Sequence, residues 1–112
     1  VINGGTNPIT TGAKGDIIVP YDITITSWTI LLDQSGSIQI DIWNDTYGNY
    51  PPTDADTITG GNEPSVTSDT DNQSSTLTGW TTSITGGTTL RFYVDSVSTA
   101  TQATLILNYN LA

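Results

Sequence analysis

The chain has 112 residues and a mass of 11.9 kDa, enough for one domain with its own core and too little for two. Eleven acidic side chains stand against two bases, Lys14 and Arg91, so a nucleic-acid phosphate backbone would be repelled rather than neutralised. Cys and His are absent, which removes disulfides, thiolate chemistry, imidazole bases and the usual zinc or iron ligand sets.

Taken in chain order, the polar start Val1–Pro8 and the lack of any Met read as part of a longer polypeptide, with residues 1–11 a connecting segment and 12–112 the domain. Period-two alternation in short runs closed by Gly, Pro, Asn and Asp predicts an all-β chain, since no stretch keeps apolar positions at helical spacing. A first strand is expected over Asp16–Val19. A longer one follows over Asp22–Leu32, in which Ile23, Ile25, Trp28, Ile30 and Leu32 share a buried face. The phase shift between Ile25 and Trp28 demands a bulge near Thr26-Ser27, because strict alternation would send Trp28 to the other side. Asp33-Gln34-Ser35-Gly36 reads as a hairpin turn, with Gly36 at positive φ.

Ser37–Trp43 then places Ile38, Ile40 and Ile42 on one face and Gln39, Asp41 and Trp43 on the other, polar one. From Asn44 to Gln73 the pattern dissolves into turn formers, with at most a short strand near Asp56–Thr59, and so long an excursion reads as functional or as a packed Ω-like loop. Strands are expected again at Ser75–Thr82, around Leu77 and Trp80, and, after a Gly86-Gly87 turn, at Thr88–Asp95 and Gln102–Leu111. Turns spaced about every ten residues suggest about six to eight antiparallel strands in a β-sandwich of jelly-roll type, or a barrel. No apolar run approaches the roughly 18–20 residues of a spanning helix, and no secretory segment opens the chain. The expectation is a soluble piece with no membrane partner, no nucleic-acid partner and no cofactor.

The stretch Asp33-Gln34-Ser35-Gly36-Ser37-Ile38, continued by Ile40–Trp43 and by Asp45-Thr46-Tyr47-Gly48-Asn49-Tyr50-Pro51-Pro52-Thr53, resembles a small β-sandwich domain found at the distal, C-terminal ends of bacteriophage tail fibres and related virion proteins. The likeness takes in Gly12–Gly15, Leu77–Trp80 and Phe92–Ser96 as well. It implies a domain carried on a virion fibre or capsid surface, usually a homotrimer among other virion proteins, which contacts the host surface or finishes the fibre. It carries over no catalytic residues and no residue-level binding site.

For a bacterial surface polysaccharide, the candidate contacts are Trp43, Tyr47, Tyr50 and Trp80 as flat apolar platforms, with Asp41, Asn44, Asp45 and Asn49 as hydrogen-bonding partners beside them. The competing expectation has Trp43 and Tyr50 packed over Pro51-Pro52 and Trp80 in the core, because large aromatics carry much of a small domain's burial. Asp54 with Asp56, and Asp69 with Asp71, have a spacing that suits calcium but match no EF-hand loop, and Asp is a favoured turn residue; no metal site is assigned. Paired carboxylates held about 5–9 Å apart hydrolyse glycosides, yet the acids show no clustering at one end of the strands, and no enzyme is expected. The function that follows is a non-enzymatic receptor-binding module at the tip of a tail fibre. The alternatives are a structural decoration domain of the capsid or fibre, and a carbohydrate-binding module of a secreted hydrolase.

Overall fold

A computed structural model describes residues 1–112. The chain forms seven strands: β1 (Ile2–Asn3), β2 (Gly12–Ile18), β3 (Ile23–Asp45), β4 (Ser65–Ser74), β5 (Ser83–Ile84), β6 (Thr89–Ser98) and β7 (Gln102–Leu111). Every pairing is antiparallel, in the order β1-β7-β3-β6-β2, with β4 and β5 also joined to β3. The all-β, single-domain expectation is met.

Strand β3 organises the molecule. Its first half pairs with β7 (Trp28 opposite Leu107) and its second half with β6 (Ile42 opposite Phe92), while β4 pairs with both halves. The bulge demanded by the Ile25–Trp28 phase is present: the register passes from Ile25 opposite Tyr109 to Ser27 opposite Asn108, which leaves Thr26 unpaired. Ile23, Ile25, Trp28 and Ile30 are accordingly all buried.

The hairpin turn expected at Asp33–Gly36 does not exist; the residues form the bend of a continuous strand. Pairing with β4 is irregular between Leu31 and Ile38, yet Leu32 and Ile38 pack at the same core cluster on either side of the bend. The polar residues that imitate a turn instead bind another one. Asp33 accepts hydrogen bonds from the Thr101 and Gln102 amides, each at 3.0 Å, and from the Thr101 hydroxyl, while Gln34 Nε2 donates to the Thr99 carbonyl. Gly36 has no positive φ. It is needed because a Cβ there would lie 2.6 Å from the Ser98 carbonyl oxygen.

Two further expectations are corrected. β4 lies where the pattern seemed to dissolve, because Val66 is its only buried residue and a polar strand has no alternation to read. Its Asp, Asn and Gln side chains suit an edge that must not recruit another strand. Conversely, Ser75–Thr82 is a loop: Leu77 and Trp80 pack inward from it, and only Ser83–Ile84 pairs, with Thr24 and Ile23. The Gly86-Gly87 turn is present, with Gly87 at φ +84.

The core has two clusters strung along β3. One contains Trp28, Ile30, Ile38 and Ile40, the other Ile23, Ile25, Ile42 and Leu90, and Leu77, Trp80 and Phe92 pack against both. Residues 1–11 belong to this structure, since β1 pairs with β7 and Ile2 and Ile9 are buried. The sheet curls toward a barrel without closing, and its open seam is an apolar groove of about 260 Å³ walled by residues such as Ile17, Phe92, Leu105 and Leu107.

Candidate functional site

The segment from Thr46 to Pro64 decides which candidate residues reach the surface. It leaves the end of β3 and makes two 3-10 turns, Tyr47–Asn49 and Asp54–Asp56. It then returns across the outer face of β3, with Thr57 bridging to Trp43 and the Ile58 amide donating to the Ile42 carbonyl at 2.9 Å. Asp56 closes the second turn by accepting from the Thr53 amide and hydroxyl. Pro52, Ile58, Thr59 and Pro64 become buried, so the second half of β3 is covered on both faces.

Trp43 therefore does not stand on an open polar face. It is only 8% exposed and stacks on Tyr93 at a centroid distance of 4.5 Å, and its Nε1 donates to Asp41 Oδ2 at 3.0 Å. Asp41 is buried as well. Its carboxylate also accepts from the Ile42 amide (2.8 Å), Thr57 Oγ1 (2.6 Å) and Thr59 Oγ1 (3.0 Å). Neither residue is free to touch a ligand. Asn44 is likewise committed, its Nδ2 donating to Thr88 Oγ1 and to the Thr89 carbonyl. Trp80 is half-buried against both core clusters, and its Nε1 donates to the Asn62 carbonyl at 2.7 Å.

Tyr47, Tyr50, Asp45 and Asn49 do come together. Asp45 Oδ1 accepts from the Thr46 amide and from Asn49 Nδ2, which holds the first 3-10 turn and presents Tyr47 at 71% and Tyr50 at 46% exposure. The two tyrosines form one wall of a shallow cleft whose opposite wall is Asp16, Ile17 and Ile18 of β2. Sequence reasoning missed these β2 residues, because only the sheet order brings residue 16 beside residue 50.

The polar centre of the cleft is built on charge. Arg91 donates through Nε to Asp16 Oδ1 at 2.8 Å and through Nη2 to Asp16 Oδ2 at 3.1 Å, a two-pronged pair. Its Nη2 also donates to the Tyr50 hydroxyl, which donates in turn to Asp16 Oδ2 at 2.6 Å. The guanidinium carbon lies 5.5 Å from the Tyr50 ring centroid, within cation–π range. The Arg91 hydrogen bond, against the cost of burial, holds the Asp16 carboxyl below its ordinary range. This fixed arrangement offers a ring face, an open ring beside it, and a rigid set of donors and acceptors.

The acids singled out by spacing do not gather: Asp56 caps a turn, and Asp69 and Asp71 bind Thr70 on β4. The carboxylates that converge are Asp41, Glu63 and Asp95, with oxygens within 4.8 Å of one another. Glu63 Oε2 is buried and has no hydrogen-bond donor in reach. Burial, Asp95 and Asp41 together push the Glu63 carboxyl up to about 8, so it carries a proton at neutral pH. No family model matches the chain, nor does any curated protein or solved structure.

Proposed function

We propose that this chain is a non-enzymatic virion module, a jelly-roll sandwich at the distal end of a phage tail fibre, which binds bacterial surface polysaccharide at the Tyr47–Tyr50 cleft. The observation that carries the reading is the pair of exposed tyrosines facing the Asp16–Arg91 pair. An aromatic ring covers the C–H face of a pyranose, while carboxylate and guanidinium edges hydrogen-bond its hydroxyls. The virion setting rests on the resemblance of the Asp33–Ile38 and Tyr47–Thr53 stretches to tail-fibre domains. In a homotrimer three such clefts act together, and weak single contacts add up through effective concentration.

The test is binding of the purified chain to bacterial cells and to their extracted polysaccharide. Tyr47→Ala should lower affinity about tenfold, or about 1.4 kcal/mol, and Tyr50→Ala by at least as much, while Tyr47→Ala leaves the unfolding midpoint unchanged because its side chain is solvent-facing. Unaltered binding by both folded variants would remove the cleft from consideration. A sedimentation mass of three chains is expected, and a monomer would count against the fibre-tip setting.

One observation favours a second reading, that of a decoration domain binding other virion proteins. The seam groove is apolar, and Ile17, Tyr109 and Leu111 beside it are at least half exposed, which suits a protein contact better than a sugar. Under that reading the Tyr47 and Tyr50 variants are silent and Tyr109→Asp, which touches the seam and not the cleft, abolishes attachment to the particle.

A further inference from the structure

Three carboxylates, of buried Asp41, half-buried Glu63 and exposed Asp95, meet in a protein with two bases and pose an electrostatic problem. Arg91 is spent on Asp16, and Lys14 Nζ donates to Thr10 Oγ1, so neither neutralises the group at Asp41, Glu63 and Asp95. Four donors already hold the Asp41 charge. Ionised oxygens at this spacing repel, and none of them can donate a hydrogen bond to another. A proton on Glu63 solves both difficulties: it removes one charge and supplies the missing donor. The placement matters because Asp41 is on β3, Asp95 on β6, and Glu63 at the end of the segment that crosses them.

We propose that Asp41, Glu63 and Asp95 form a proton-operated latch, in which a proton held by Glu63 keeps the 46–64 segment on the sheet and its departure loosens that segment. The charged groups facing Glu63 are Asp41 from β3 and Asp95 from β6, both acidic, so ionisation turns a hydrogen-bonded contact into repulsion on both sides. The Glu63 carboxyl is raised from 4.5 to about 8 on folding, so between those values the folded chain keeps a proton that the unfolded chain has lost. Its stabilisation is full below the lower value, declines across the interval and is gone above pH 8. What loosens is the group of contacts next to Glu63: Thr57 and Thr59 on Asp41, the Ile58 amide on Ile42, and the Asn62 amide on the Thr59 carbonyl. The latch does not rest on the glycan reading, and a protein that binds no glycan tests it equally well.

Glu63 is the only glutamate in the chain, so protein labelled with ¹³C at glutamate carboxyls reports it as a single resonance. In metal-free buffer that resonance should titrate near pH 8. Amide exchange of residues 57–62, corrected for intrinsic base catalysis, should accelerate over the same range. In Glu63→Gln, which cannot ionise, those amides should exchange at least about tenfold more slowly than wild type at pH 9. Asp95→Asn removes one facing charge and should move the Glu63 titration to lower pH, a readout that survives if Glu63→Gln fails to fold. Titration of Glu63 in the ordinary carboxylate range, no response to Asp95→Asn, or identical exchange in wild type and Glu63→Gln would each overturn the latch.

Discussion

Asp41→Ala should destabilise the protein by about 3–5 kcal/mol, a large part of the roughly 5–15 kcal/mol a domain of this kind possesses. The carboxylate is 4% exposed and accepts from the Trp43 indole, the Ile42 amide and the hydroxyls of Thr57 and Thr59. Alanine leaves the Ile42, Trp43 and Thr59 donors buried without an acceptor, while exposed Thr57 can turn to water, and each buried donor left unpaired costs about 1–3 kcal/mol before relaxation. One term runs the other way: losing the Asp41 charge relieves Glu63, but only where Glu63 is ionised. The loss should therefore be larger at pH 6 than at pH 9. Asp41→Asn keeps the shape and one acceptor oxygen and should cost less. Chemical denaturation at the two pH values measures all of this, and a loss below about 1 kcal/mol would mean that the segment is held by apolar contacts alone.

Ile40→Ala should cost about 2–5 kcal/mol, since the side chain is fully buried and truncation leaves a cavity in a packed core. Because β3 threads both core clusters, the damage should not stay local. Tryptophan fluorescence, dominated by Trp28, Trp43 and Trp80, and far-UV circular dichroism should lose stability together in one transition. Two separated transitions would show that the halves of β3 fold as independent units.

How far the sequence foretells this structure depends on which side chains decide each element. Apolar alternation marks the strands that face the core, so β3, β6 and β7 are legible, and even the Thr26 bulge follows from a phase error. A polar strand leaves no such trace, which hides β4, and Leu77 and Trp80 imitate a strand because loop residues that plug a core are spaced as apolar pairs too. The Asp33–Gly36 bend is written in turn residues because it binds the turn between β6 and β7. In the site, Tyr47, Tyr50, Asp45 and Asn49 are close in sequence and so could be grouped. Alternation correctly sets Asp41 and Trp43 opposite the isoleucines, but nothing in it says that residues 57–59 will cover that face. Asp16 and Arg91 join Tyr50 through sheet order, and Glu63 meets Asp95 through the path of a loop; neither proximity has a local signal.

The glycan reading is tested most directly by adding extracted bacterial surface polysaccharide to the ¹⁵N-labelled chain and following every backbone amide. Perturbations gathered at Tyr47–Tyr50 and across the cleft at Asp16–Ile18, and reversed by an excess of unlabelled chain, are the result expected. Perturbations confined to the seam around Phe92 and Leu105, or none at all with polysaccharide from every strain tried, would contradict it.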